Sequence, residues 1–354
     1  DGCRSSIMLC TATQQLLHKL ENPARSLPLD LDKQISVSEE HKIRALNRIQ
    51  VFDSTRPHGW NSQEIADLAL NECNFEKSVL VIVNTKKQAS MIYNLLKDAK
   101  KIPIFHLSTN MCSEHRRTEL KKITTLLKTE KPLILISTQL IEAGVDVDFH
   151  VVIRSLTGVD SIAQAAGRCN RHGSRTDGRV IIINPTDERL NRLPEMLEAK
   201  KITETLLGKF KNGEIETQPT HFLSEVVIES YFERYNNEFR NQMNYPVDQR
   251  SAIGRMDDLV RVLGANGVSV AAYRTKNNSN PNRFLRQSFR SAAESFQVIP
   301  NIGHGIIVPY GAGKDIITEL SGVFQPGKHF KVLRQAQRYS VNCFQHELEK
   351  LASE

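Results

Sequence analysis

Ile134-Leu135-Ile136-Ser137-Thr138-Gln139-Leu140-Ile141-Glu142-Ala143-Gly144-Val145-Asp146-Val147-Asp148 passes from an unbroken apolar run into a small polar turn and then into a Gly-x-Asp. An apolar run with no polar position on either face fits a strand buried on both sides, which is the strand type of parallel sheets covered by helices. Open sheets of that kind build their sites where the strands end. Gly144 lets backbone approach a ligand closely, and Asp146 can accept hydrogen bonds from a ribose or orient an arginine.

The next stretch downstream has the same form. After an apolar run over 150–154 comes Gln164-Ala165-Ala166-Gly167-Arg168-Cys169-Asn170-Arg171, which reads as a helix carrying Arg168 and Arg171 on one face, three residues apart. A guanidinium keeps its charge and its planar fork matches phosphate oxygens, so the pair, with Gln164 beside it, suits a polyphosphate stabilised as it breaks. Taken alone, the octapeptide reads equally as a solvated basic helix face.

Outward from these two stretches, strand-like runs over 78–84, 103–107, 133–137, 150–154 and 179–184 alternate with helical segments, one carrying Ala89, Ile92 and Leu96 and another spanning 113–128. The fold class is α/β, a parallel sheet with helices on both faces, followed by a mostly helical part. Helices are expected over 190–210, over 223–240 with Val226, Val227, Tyr231 and Phe232 on its apolar side, and over 283–296. Short strands are expected over 268–273 and 305–310. The phenylalanines Phe284, Phe289 and Phe296 read as core, with stacking on a displaced single strand as the alternative.

The 354 residues allow two domains, and a net charge of +7 with a pI near 9.0 favours a polyanionic partner, most economically nucleic acid. A basic soluble surface is the plainer alternative. Cys3, Cys10, Cys73, Cys112, Cys169 and Cys343 show no Cys-x-x-Cys pair and no disulfide rhythm, so they read as core thiols of a reducing cytoplasm. No apolar run has the length of a membrane span and Asp1-Gly2-Cys3 begins no signal peptide, so the expectation is a cytoplasmic protein without a membrane partner.

Four segments in order, SVLVIVNTKKQA at 78–89, His106-Leu107-Ser108-Thr109 with Glu114-His115-Arg116-Arg117, STQLIEAGVDVD at 137–148 and QAAGRCNR at 164–171, are together similar to the second RecA-like motor lobe of superfamily 2 helicases. They most resemble the helicase-nuclease of type I CRISPR interference. Segments 289–296, 308–314 and 333–342 resemble that family's C-terminal accessory domain. The resemblance implies that Arg168 and Arg171 act as arginine fingers on the γ-phosphate, that Gln164 positions nucleotide or water, and that Gly144 and Asp146 contact ribose or metal-bound phosphate. Many relatives carry a third arginine where this chain has Ala165. Thr85, Lys86, Thr109 and Thr138 fall at strand ends where such lobes touch the nucleic-acid backbone; ordinary helix capping by the threonines reads equally well.

On the same resemblance, 1–13 is the end of a first lobe, with Ile7-Met8-Leu9-Cys10-Thr11-Ala12-Thr13 leading out of its last strand. Residues 14–50 are an interlobe linker, 51–190 the second lobe, 191–240 linker helices and 241–354 the accessory domain. No Gly-x-x-x-x-Gly-Lys-Ser/Thr occurs: Gly311-Ala312-Gly313-Lys314 has Val308 and Asp315 where that loop needs Gly and a hydroxyl. The expected cofactor is therefore ATP with Mg, the magnesium ligands lying on a first lobe supplied in cis or in trans, and the chain by itself is expected to be inactive. No His-Asp doublet is present, so the nuclease metals are expected outside the chain and no metal site within it. The implied partners are single-stranded DNA, the CRISPR surveillance complex (Cascade), the first lobe and the nuclease domain. Two other readings remain, a non-enzymatic nucleic-acid-binding or docking module and half of a general DNA or RNA helicase.

Overall fold

The computed structural model describes residues 16, 47–98, 102–217, 221–239, 245–247, 257–282, 286–297, 303–323 and 325–353. The expected first-lobe end at 1–13 and almost all of the 14–50 linker, with Arg283 and Phe284, lie outside the described residues.

Six strands form one parallel sheet: β1 (Ile49–Asp53), β2 (Ser78–Ile82), β3 (Ile104–Leu107), β4 (Leu133–Ser137), β5 (Val151–Ser155) and β6 (Gly178–Ile183), in the order β1-β6-β5-β2-β4-β3. The fold is the α/β parallel sheet with helices on both faces expected from the apolar runs, with the RecA-like character that the resemblance implied. Strands β2, β4 and β5 are buried at every position, and their residues divide between two cores by the two-residue period of the pleat. Val79, Val81, Ile134, Ile136, Val151 and Ile153 pack against helices α1 (Ser62–Glu76) and α2 (Lys86–Leu96). Leu80, Ile82, Leu133, Leu135 and Val152 face the other way, onto α3 (Ser113–Lys128), α4 (Val159–Ala166), α5 (Pro194–Lys211) and α6 (Glu225–Glu238).

Local sequence sets the helix limits. Asn61 accepts the N–H of Glu64 at 2.9 Å while Glu64 accepts the N–H of Asn61 at 2.8 Å, a reciprocal pair that starts α1. Pro194 opens α5, where a missing N–H costs nothing. Both α5 and α6 begin later than expected, and Val226 is exposed because the apolar stripe of α6 runs instead through Val227, Tyr231 and Phe232.

The edge strand β1 lies in and beside the expected linker and was not anticipated; it pairs with β6 from Ile49 opposite Gly178 to Asp53 opposite Ile182. The described residues contain no helix long and apolar enough to cross a membrane.

Contacts divide the chain into one unit of Asp1–Tyr235 with His304–Glu354 and a second of Asn236–Gly303. The last segment thus clusters with the lobe rather than with the rest of the 241–354 region. In it, β9 (His304–Ile307) pairs antiparallel with β10 (Ser340–Cys343), and Ile316, Val332 and Ala336 make a small core with α10 (Gly313–Leu320) and α11 (Pro326–Ala336). It joins the lobe through Tyr310, whose ring stacks on His115 of α3 with centroids 4.2 Å apart.

The second unit holds a short strand pair, β7 (Pro246–Val247) with β8 (Asp257–Asp258), and helices α7 (Leu259–Leu263), α8 (Gly267–Asn277) and α9 (Phe289–Ser295) around Val247, Val262 and Ala292. Two expectations are corrected there. The 268–273 run is helix α8, not a strand: Ala271, Ala272, Arg274 and Lys276 favour helix, and Asn266 and Asn278, both at positive φ (+47° and +49°), bracket it. The expected 283–296 helix is seen among the described residues only as Phe289–Ser295, and Phe289 and Phe296 are not core, being 66% and 48% exposed while Ala292 is buried.

Candidate nucleotide and nucleic-acid site

The two arginines do not share a helix face, and this corrects the sequence reading. Helix α4 stops at Ala166 with Gly167 as its cap. Beyond it the chain crosses to Phe149, which donates its N–H to Arg168 O at 2.9 Å and accepts that of Asn170 at 3.1 Å. Asn170, wholly buried, takes φ +46° and turns the chain outward. Its side chain reinforces the turn by donating to the carbonyls of Arg48 (3.0 Å) and Arg175 (3.1 Å).

Arg168 consequently points in. It is 6% exposed, and its Nε and Nη2 donate to the carbonyls of Ile141 at 3.0 Å and Glu142 at 2.6 Å. Burial first, and the Arg171 charge second, lower its affinity for the proton relative to a free guanidinium. Arg171 points out, its side chain 40% exposed and its Nε 3.1 Å from Oδ1 of Asp146, itself 74% exposed. A solvent-exposed pair of this sort is worth ~1 kcal/mol or less, so an incoming polyanion can displace it. Asp148 holds the turn behind Arg171 by accepting its N–H at 2.9 Å and Nη1 of Arg175 at 3.0 Å.

Gly144, at φ +72° with no atom within 4 Å of where a Cβ would stand, leaves its backbone open beside Asp146. The structure therefore brings Asp146 and Arg171 together near Gly144. Gln164 sits half-buried on α4.

A buried polar network beneath this rim was missed from sequence. Arg154, fully buried at the end of β5, places Nε 2.9 Å from Oε1 of Glu142 and donates from Nη1 to Asn84 Oδ1 (2.7 Å) and from Nη2 to Ser161 Oγ (3.0 Å). Ser161 donates to Oε2 of Glu142 at 2.7 Å, and Asn84 Nδ2 donates to Glu188 at 2.8 Å. Burial pushes the Glu142 and Glu188 carboxyls up and the Arg154 guanidinium down, each opposed by the charges it faces. The network ties the ends of β2 and β5, the segment after β6, the 139–142 turn and α4 into one body. A cation closing an otherwise apolar strand was the available signal, because such a group needs a buried acid.

Thr85, Thr109 and Thr138 follow β2, β3 and β4, three neighbours in the sheet. Thr85 caps α2, its side chain accepting the N–H of Gln88 at 3.2 Å. Thr85→Ala should therefore cost ~1 kcal/mol of stability, read as a lowered denaturation midpoint. Lys86 stands 3.9 Å from Glu347 of α12 (Gln345–Ala352) and 5.8 Å from the Phe344 ring centroid. Thr109 is exposed and Thr138 is 9% exposed.

The cysteine at the centre of the arginine segment is structural in setting. Cys169 is wholly buried, its Sγ 3.3 Å from the carbonyl of His150, and burial pushes its thiol up to about 12.

Residues 76–174, which span the sheet core and both arginines, match the family described as CRISPR-associated nuclease/helicase Cas3, C-terminal. The chain is 26% identical over 196 residues to the CRISPR-associated nuclease/helicase Cas3 of Methanothermobacter thermautotrophicus, covering 52% of this chain and 23% of that protein. It is 48% identical over 69 residues to the Cas3 of Haloferax volcanii, covering 19% of this chain and 7% of that protein. The chain thus spans less than a quarter of these relatives' length. A solved structure described as a CRISPR-associated protein superposes with TM-score 0.50 and 14% identity over 88% of this chain and 36% of that one; at that identity the likeness is one of fold. The resemblance seen in the four sequence segments stands, then: the chain is similar to the C-terminal part of the Cas3 nuclease/helicase.

Proposed function

We propose that the chain is the C-terminal part of an ATP-dependent single-stranded DNA translocase acting in type I CRISPR interference in the cytoplasm. It would work with a first lobe that holds ATP and Mg, a nuclease domain and the surveillance complex Cascade. The observation that carries this reading is the exposed rim of Gly144, Asp146 and Arg171, braced from behind by Arg168 on the carbonyls of Ile141 and Glu142. Arg171 exchanges Asp146 for the γ-phosphate when the first lobe closes, and Arg168 either follows it or holds the 139–142 turn in place. Gln164 positions nucleotide or water. Thr85, Lys86, Thr109 and Thr138 touch the DNA backbone, which carries no sequence information and so suits a motor. Opening and closing of the cleft moves the strand by a step.

The chain assembled with a first lobe bearing a phosphate-binding loop should hydrolyse ATP when single-stranded DNA is added, and should not do so alone. Assembly without hydrolysis under any nucleic acid would favour the docking-module reading, to which the buried setting of Arg168 lends some support.

A further inference from the structure

We propose that the outer face of α3 is a second nucleic-acid surface, one that holds the phosphate backbone of duplex DNA outside the cleft. A groove of about 670 Å³ runs along this helix, lined by Arg116, Arg117, Lys121, Thr124 and Lys128 among others, with no carboxylate among its described lining residues. The acids of α3 are occupied at its margins: Glu114 holds Arg117 at 2.6 Å and Glu119 holds Lys122 at 2.7 Å. Arg116, Lys121 and Lys128 are in no ion pair among the described residues, and Lys121 lies near enough to Glu114 to help lower its carboxyl, after the hydrogen bond from Arg117. Ile123 is the one residue of α3 that is fully buried, so the cationic stripe serves no core.

The last segment of the chain packs beside this groove, and none of its residues is among the described residues lining it. The Tyr310 ring stacks on His115, and Arg338 lies near enough to Glu114 to lower its carboxyl further.

The spacing suits a polyphosphate chain. Eleven residues of helix from Arg117 to Lys128 rise ~16 Å, the axial length over which each strand of a duplex carries roughly five phosphates at about 3.4 Å of helix axis apiece. Surfaces for single strands pair such cations with aromatic platforms for the bases. No aromatic side chain is among the described residues lining this groove, so it offers contacts to backbone and nothing to unstacked bases. That the partner is a duplex rests on this lining; that it is DNA rests on the motor reading above.

The test is anisotropy of the full chain with a labelled DNA duplex, its separate strands and an RNA duplex, across a series of salt concentrations. The double substitution Lys121→Gln/Lys128→Gln should weaken duplex DNA binding about tenfold and flatten the log-log salt slope by about 2. Single-strand binding should stay within about twofold. Lys121→Arg/Lys128→Arg keeps the charges and should retain duplex affinity, which separates charge from fold. Unchanged affinity and slope in the folded Gln variant, an equal loss on single strands, or preference for the RNA duplex would each overturn the proposal. Arg171→Ala should bind the duplex normally whatever it does to hydrolysis, so a failure of the motor reading shows up separately.

Discussion

Arg171→Ala is expected to lower DNA-stimulated ATP hydrolysis of the assembled enzyme by ~10³-fold or more while leaving the fold of the lobe unchanged. The side chain is half in solvent and its only described partner within ion-pair reach is the exposed Asp146, so its loss removes no packing. On the proposed function, what goes is a cation that would meet negative charge as the γ-phosphate departs, and lysine would not replace the planar fork. Asp146→Asn should retain most of the activity if Asp146 only occupies Arg171 between turnovers, and should lose more if Asp146 contacts ribose or metal-bound phosphate. Arg168→Ala should lose activity for a different reason. Its two hydrogen bonds go to the carbonyls of buried residues Ile141 and Glu142, and leaving these without donors costs about 3 kcal/mol. The two variants are told apart by denaturation: Arg171→Ala melts as the wild type, Arg168→Ala earlier. Full hydrolysis by a folded Arg171→Ala would remove the finger assignment.

The contrast between these arginines also marks how far the sequence could be read. The strands of the core were legible because Val79 to Ile82, Leu133 to Ile136 and Val151 to Ile153 admit no polar residue, and only a covered parallel sheet hides both faces of a strand. The arginine segment was misread because an Ala-Ala run was carried on as helix past Gly167. A glycine there is a stop signal, and Asn170 is among the few residue types that enter the left-handed region readily. With that turn, a three-residue spacing puts one side chain in and one out. β1 was overlooked because Gln50 and Asp53 leave only three apolar residues in a five-residue run, a pattern that suits an edge strand whose Phe52 stays 40% exposed. Segment 268–273 failed in the other direction, two valines outweighing two alanines and flanking cations.

The polar network under the rim yields the second large effect. Arg154→Met should destabilise the lobe by about 3–5 kcal/mol, because Glu142 is left buried opposite an apolar side chain. Glu142 would keep one hydroxyl donor, Ser161, which does not neutralise a carboxylate. The charges of a buried pair are costly to desolvate, so replacing both often recovers stability. Arg154→Met/Glu142→Leu should accordingly melt above Arg154→Met, with a coupling of 1 kcal/mol or more in the double-mutant cycle. A single Arg154→Met that unfolds within about 0.5 kcal/mol of wild type would show the pair to be idle. If instead the coupling is large, the proposed motor would have a physical basis for linking its parts. Glu142 offers its carboxylate to Arg154 and its carbonyl to Arg168, so the end of β5, the 139–142 turn and the segment carrying Arg171 meet on one residue. A shift of the turn on nucleic-acid contact at Thr138 would then pass to Arg168 through its hydrogen bonds to Ile141 and Glu142, three residues before Arg171 in the same segment.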